Sequence, residues 1–139
     1  MDLHAIIYVS SATTIVPFEE FQESVDLSRA QFREQGITGI LIFAAGNILV
    51  MLEGDRDLIT AAYRKGMERP HHNFIKLYDK PLKTRFFEDH PLAVKVINTD
   101  EWKPADDFQS EEQKEYLEEC LNSDHSTMKI LKDFIKNNT

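Results

Sequence analysis

Few residues in this chain have types and spacings that suit chemistry, and each points to a different kind. His71-His72 is a pair of potential metal ligands. Adjacent histidines project in different directions, however, and no third ligand lies nearby to complete a zinc-type site. Cys120 is the only cysteine, so it has no partner for an internal disulfide, and no metal-site spacing surrounds it. It reads as a small apolar residue on a helix face. Glu53 and Asp55 flank Gly54 where a helix begins. Carboxylates there complement the helix dipole and need no catalytic role. Tyr8 places a phenol on a strand, and a strand tyrosine of this kind is a core aromatic whose hydroxyl finds one partner. Ser28 is the candidate partner. No set of these residues forms a catalytic constellation, so the chain is expected to be neither a metalloprotein nor an enzyme.

The elements that position these residues follow from apolar patterning. Residues 36–54, GITGILIFAAGNILVMLEG, write out a strand, a turn at Gly46-Asn47 and a second strand. Ile40 to Phe43 and Ile48 to Leu52 are apolar at consecutive positions, so both faces of this hairpin are predicted to be covered. Leu3 to Ser10 predicts another strand with apolar residues on both faces, followed by a loop from Ser10 to Pro17. Phe18 to Gln35 predicts a helix, with Phe18, Phe21, Val25, Ser28 and Phe32 on one stripe of a 3.6-residue period. Gly36 suits its C-cap. Asp55 opens a second helix to about Arg69, with Leu58, Ala61, Ala62 and Tyr63 as its packing positions, and Pro70 ends it. Asn73 to Asp79 and Leu92 to Ile97 predict further strands.

This order implies an α+β fold, a ferredoxin-like βαββαβ(β) sheet. Its first and third strands are expected to be central, adjacent and parallel, and both helices lie on one face. The tail from Asn98 is suited to cover the other face. It contains 5 Lys against 11 Asp plus Glu, a net −6 of the chain's −8. Ser110-Glu111-Glu112-Gln113 has a capping-box pattern, leading a helix with Tyr116, Leu117, Cys120 and Leu121 on one side. Ser123 or Asp124 is suited to cap a second helix, with Met128, Leu131, Phe134 and Ile135 inward. Residues 1–97 are therefore expected to form the core domain, and residues 98–139 an acidic helical extension packed on the sheet. The acidic balance excludes nucleic acid as a partner. There is neither a signal-peptide pattern nor an apolar run long enough to span a bilayer, so no membrane association and a cytoplasmic location are expected.

Tyr8 followed by Ser10-Ser11, GITG at 36–39, LEG at 52–54 and His71-His72 after the second helix together resemble the BLUF family of blue-light sensors using flavin. The resemblance covers roughly residues 1–97. It implies the ferredoxin-like sheet, a flavin adenine dinucleotide (FAD) whose ring lies between the two core helices, and two helices after the sheet. In the family, a tyrosine on the first strand gives an electron and a proton to the excited flavin through a glutamine on the third strand, and an asparagine on the first helix holds the flavin carbonyl.

Position by position, the tyrosine is Tyr8, the asparagine position is Phe32 with Gln31 before it, and the glutamine position is Val50. The family's tryptophan and methionine near the last strand fall at about His90 and Leu92, its arginine falls at Pro70, and His71 is retained. The flavin-pocket positions of this chain are thus Tyr8, Ser28, Gln31, Phe32, Val50 and His71.

Valine has no hydrogen-bonding side chain and cannot relay a proton between a phenol and a flavin nitrogen. Gln31 lies about 100° around the helix from Phe32, which turns it away from the missing position. Losing two polar contacts weakens flavin binding by about 1 to 3 kcal/mol in total. The ring at Phe32 adds a steric cost, and Phe18, Phe21 and Phe32 are expected to fill the flavin space as core.

Three functional classes follow. The first is a light-insensitive BLUF-like sensory or regulatory module acting in protein interaction or oligomerisation. The second is an FAD-binding photoreceptor that tolerates the substitutions. The third is an acyl-phosphate hydrolase on the same fold, disfavoured because the Ser10–Pro17 loop has no Arg, Lys or Gly to hold a phosphate. By the resemblance, the partner is a separate signalling protein, a second copy of the chain, or both.

Overall fold

The computed structural model describes residues 2–12, 18–44, 46–68, 72–97 and 118–138, with the backbone alone at 12, 18 and 72. The elements run β1 (Leu3–Ala12), α1 (Phe18–Gln35), β2 (Thr38–Ala44), β3 (Asn47–Asp55), α2 (Arg56–Met67), β4 (His72–Pro81), β5 (Ala93–Ile97) and α3 (Ser126–Asn137). The capping-box segment at Ser110, Tyr116, Leu117 and Pro70 lie outside the described residues, as do the side chain of Phe18 and residues 13–17.

The five strands form one sheet in the order β4-β1-β3-β2-β5. β1 and β3 are central and adjacent, as the element order implies, but they run antiparallel rather than parallel, with Tyr8 opposite Val50 and Ile6 opposite Leu52. The reason is topological. β3 turns back on β2 through a hairpin, and α1 carries the chain over that inserted strand, so the parallel strands are β1 and β2. β4 pairs antiparallel with the outer edge of β1, and β5 pairs parallel with β2.

Alternation along the strands sends successive side chains to opposite sides, which explains the unbroken apolar runs. Ile6, Tyr8, Val50 and Leu52 face α2 and pack with its Ile59. Phe43 and Val94 meet Phe21 and Val25 of α1. Ala5, Ile7, Ile40, Ile42, Leu49 and Met51 face the other way, against Met128, Leu131 and Phe134 of α3. Both faces of the central strands are therefore covered, by α1 and α2 on one side and α3 on the other, whereas Ile75 and Leu77 of the edge strand β4 stay exposed. The segment 118–121 is helical, and its Cys120 and Leu121 pack on the same cluster as α3.

Two glycines are fixed by geometry. Gly46 has φ +83 in the hairpin turn, a conformation that side chains disfavour. A Cβ on Gly39 would lie 1.9 Å from the Met51 carbonyl oxygen, so the second glycine of GITG lets β2 approach β3 closely.

Two local expectations are corrected. In α2 the inward residue is Ile59, with Ala62 and Tyr63 half-buried, whereas Leu58 and Ala61 are exposed. Helix direction out of β3 sets that face one residue later than the expected stripe. In α3 the N-cap is His125, not Ser123 or Asp124: its Nδ1 accepts from Thr127 N at 3.2 Å, a lone pair serving where a carboxylate oxygen commonly does.

Candidate functional site

A cavity of about 650 Å³ lies between α1, α2 and the sheet. Tyr8 and Ser10 of β1, Leu41 of β2, and Ile48 and Val50 of β3 form its floor. Phe21, Val25, Ser28 and Phe32 of α1 form one wall, and Ala62, Lys65 and Gly66 of α2 form the other. Thus Tyr8, Ser28, Gln31, Phe32 and Val50, named from widely separated parts of the sequence, converge on one space. His71 lies outside the described residues.

Tyr8 is 9% exposed and sits directly across from Val50 in the β1–β3 register. Its ring meets Tyr63 edge-on at 5.0 Å between centroids and is tilted against Phe74 at 6.2 Å. These contacts orient the phenol along the sheet towards α2, where its hydroxyl lies against Gly66: a Cβ on that glycine would be 3.2 Å from the oxygen.

Val50 is buried, with Leu41 and Ile48 around it, so the floor beside the phenol is apolar. Phe32 is half-buried and packs against the aliphatic residues of both helix-side clusters. Phe21 meets Phe43 edge-on at 5.8 Å. Of the three aromatics expected to fill the space, the side chain of Phe18 lies outside the described residues, and Phe21 and Phe32 leave the space open. They line its wall, because Phe21 turns onto β2 and Phe32 lies between the two clusters.

Polar groups gather towards the mouth. Gln31 is exposed, and its Oε1 accepts from Lys65 Nζ at 3.4 Å, bridging α1 and α2. Glu34, Gln35 and Glu68 also line this end. Arg29 ties α1 to the residue before β5, donating from Nε to the Leu92 carbonyl at 2.8 Å. Burial lowers the Arg29 pKa, with Asp26 opposing that shift. The Leu92 side chain reaches the cavity.

Glu53 is more than a helix-start carboxylate. It is fully buried and faces the α3 side of the sheet, in phase with Leu49 and Met51. Its carboxylate accepts from the backbone N–H of Phe86 at 2.6 Å and of Phe87 at 3.0 Å, and from Thr38 Oγ1 at 3.0 Å. Burial pushes its pKa up, opposed by those donors and by Arg85. Arg85 Nη1 donates in turn to the Gly36 carbonyl at 2.7 Å and to Thr38 Oγ1 at 3.0 Å. The segment pinned by Glu53 also touches the C-terminal helices: the Phe86 ring meets His125 at 5.1 Å, and Cys120 Sγ donates to the Phe86 carbonyl at 3.4 Å. The sequence signal for Glu53 is its period-2 phase with Leu49 and Met51, which puts it on the α3 side of the sheet, away from a helix-start role.

A second polar group lies at the β1–β4 edge. Buried His4 bonds through Nε2 to Asp79, which also pairs with Lys76 Nζ at 2.8 Å. Lys76, and then His4, hold the Asp79 carboxyl below its ordinary range against the effect of burial. Among the described residues no three His, Cys, Asp or Glu side chains are grouped to hold a metal. No described helix is long and apolar enough to cross a membrane.

Comparison with known proteins agrees with this geometry. Among solved structures, the chain is similar to BlrB, a BLUF protein in its dark state, at 23% identity, covering 68% of this chain and 73% of that one, with a TM-score of 0.65. It is similar to the Klebsiella pneumoniae BlrP1 manganese/cy-diGMP complex at pH 9.0 at 20% identity, covering 96% of this chain and 33% of that one, with a TM-score of 0.74. Against the BlsA ground state the figures are 16% identity, 91% and 92% coverage, and a TM-score of 0.67. The chain therefore spans about a third of the length of BlrP1 and nearly all of BlsA. At these identities the likeness is one of fold. No curated protein sequence matches significantly. The family model for BLUF, sensors of blue-light using FAD, matches residues 3–93, and the chain belongs to that family.

Proposed function

We propose that this chain is a BLUF-family sensory module that no longer responds to light and acts as a regulatory interaction or oligomerisation module. One observation carries the reading: Val50 stands directly across from Tyr8 on the floor of the cavity. A flavin ring offers a flat apolar face, and along one edge N–H and carbonyl groups that need partners. The cavity suits the face. At the two carried-over positions that would meet the edge, Val50 and Phe32 have no polar atom in their side chains. The residues present do not fit a hydrogen-bond relay between phenol and flavin.

Residues 1–97 form the sensory unit in this reading, and residues 98–139 form the extension through which a separate signalling protein or a second copy is engaged. Support for a role of the extension comes from its packing. α3 covers the sheet face opposite the cavity, and the segment pinned by Glu53 touches it through Phe86 and His125.

The alternative, an FAD-binding photoreceptor that tolerates the substitutions, draws on the size of the cavity, which lies within the range of small-molecule sites. One spectrum separates the two. Protein purified from flavin-supplemented cells should show no red shift of any bound-flavin absorption under blue light, and a reversible red shift would establish the photoreceptor instead.

A further inference from the structure

The cavity remains to be assigned a ligand. Leu41, Ile48, Val50, Val25, Phe32 and Ala62 give its floor and walls a largely apolar surface. The polar groups that reach it from the sheet and from the middle of α1 are hydroxyls, those of Tyr8, Ser10, Ser24 and Ser28. Hydroxyls both donate and accept, and so suit an uncharged hydroxyl, carbonyl or amine on a ligand. Among the described residues lining it, the mouth carries Lys65 against Glu34 and Glu68, a formal balance of −1, and Lys65 already bonds Gln31. A ligand tail bearing phosphates would pass that mouth against net repulsion.

We infer that this cavity binds an uncharged, largely apolar polycyclic molecule with one polar end, and discriminates against the diphosphate-bearing flavin dinucleotide. The inference rests on the reading of the site as one that has lost its polar relay. Apolar burial holds the ring system, the Ser28 side supplies one hydrogen bond, and the acidic mouth favours neutral over anionic tails. Discrimination by charge at this mouth is expected to amount to about tenfold in affinity.

The test uses N-phenyl-1-naphthylamine, an uncharged aromatic that brightens in apolar sites, titrated into the full chain at low salt. Saturable binding of one probe per chain is expected. Ser28→Trp and, from the opposite wall, Ala62→Phe should each weaken it by about tenfold or more, with circular dichroism checking the fold. Riboflavin should displace the probe more readily than FAD, since the two share a ring and differ in charge. Reversing the exposed mouth charges with Glu34→Lys and Glu68→Lys should raise FAD binding about tenfold or more. Five results would overturn the inference: no saturable signal, binding unchanged by both cavity-filling substitutions, FAD displacing the probe better than riboflavin, FAD binding indifferent to the charge reversal, or tight FAD binding by the unsubstituted chain. FAD that binds tightly without a light-induced shift removes this inference and leaves the proposed function standing, whereas a light-induced red shift removes the proposed function itself.

Discussion

Glu53 combines complete burial with a carboxylate, and the two make opposite demands on its proton. Burial favours the neutral acid, whereas the Phe86 and Phe87 amides and Thr38 favour the anion; burial prevails, so its pKa stands above the ordinary 4.5. The native state therefore holds this proton more firmly than the unfolded chain does. The resulting contribution to stability is present below the unfolded pKa and is lost as pH rises through the higher folded value. Glu53→Gln cannot ionise and should lack this loss. It should also be about 1 to 3 kcal/mol less stable at low pH, because its amide NH2 would face the donating Phe86 N–H. Urea unfolding of both proteins from pH 4 upward should show the wild type losing stability relative to the variant as pH rises. A flat or opposite difference would show that the anion is the buried form. The arrangement was only half legible in sequence. Val50 could be read because a resemblance named its position, but Glu53 could be valued only by counting its phase from Met51, and its backbone partners Phe86 and Phe87 lie more than 30 residues further along the chain.

At the scale of elements, regular spacing was the reliable guide. The apolar stripe of α1 predicts a helix from Phe18 to Gln35, and the helix has those bounds. α2 is shorter and offers fewer apolar positions, so the expected packing set of Leu58, Ala61, Ala62 and Tyr63 includes two exposed residues and omits Ile59, which packs on β1 and β3. Strand direction departs from the expectation for a different reason. Adjacency follows from the order of elements, but orientation depends on tracing the crossover past the hairpin.

The C-terminal turn of α2 also holds Gly66 against the Tyr8 hydroxyl. Gly66→Ala should favour the helix by about 0.5 to 1 kcal/mol. The new methyl, 3.2 Å from the phenol oxygen, requires Tyr8 to move by a few tenths of an ångström towards the cavity, which has room for it. A rise of about 1 to 3 °C in Tm is expected by calorimetry. A fall would mean that Tyr63 and Phe74 hold the phenol too firmly to yield.

At the scale of the molecule, the sheet is a partition with a cavity on one side and a helix on the other. Residues 82–92 are joined to both: Leu92 reaches the cavity, while Phe86 and Phe87 hang from Glu53 beside α3. Covered strand faces were legible in the apolar runs, but this link was not, because nothing in its composition announces a structural segment. The Tyr8–Val50 pair has a consequence at this scale as well. A glutamine at position 50 would leave an amide seeking partners whenever the cavity lacked its flavin, at a cost of about 1 to 3 kcal/mol. Valine makes no such demand, so maturation and lifetime of the protein are expected to be independent of vitamin supply. In riboflavin-starved cells its steady-state level and its resistance to proteolysis should match those in replete cells; a marked drop in either would show that flavin occupancy still governs its survival.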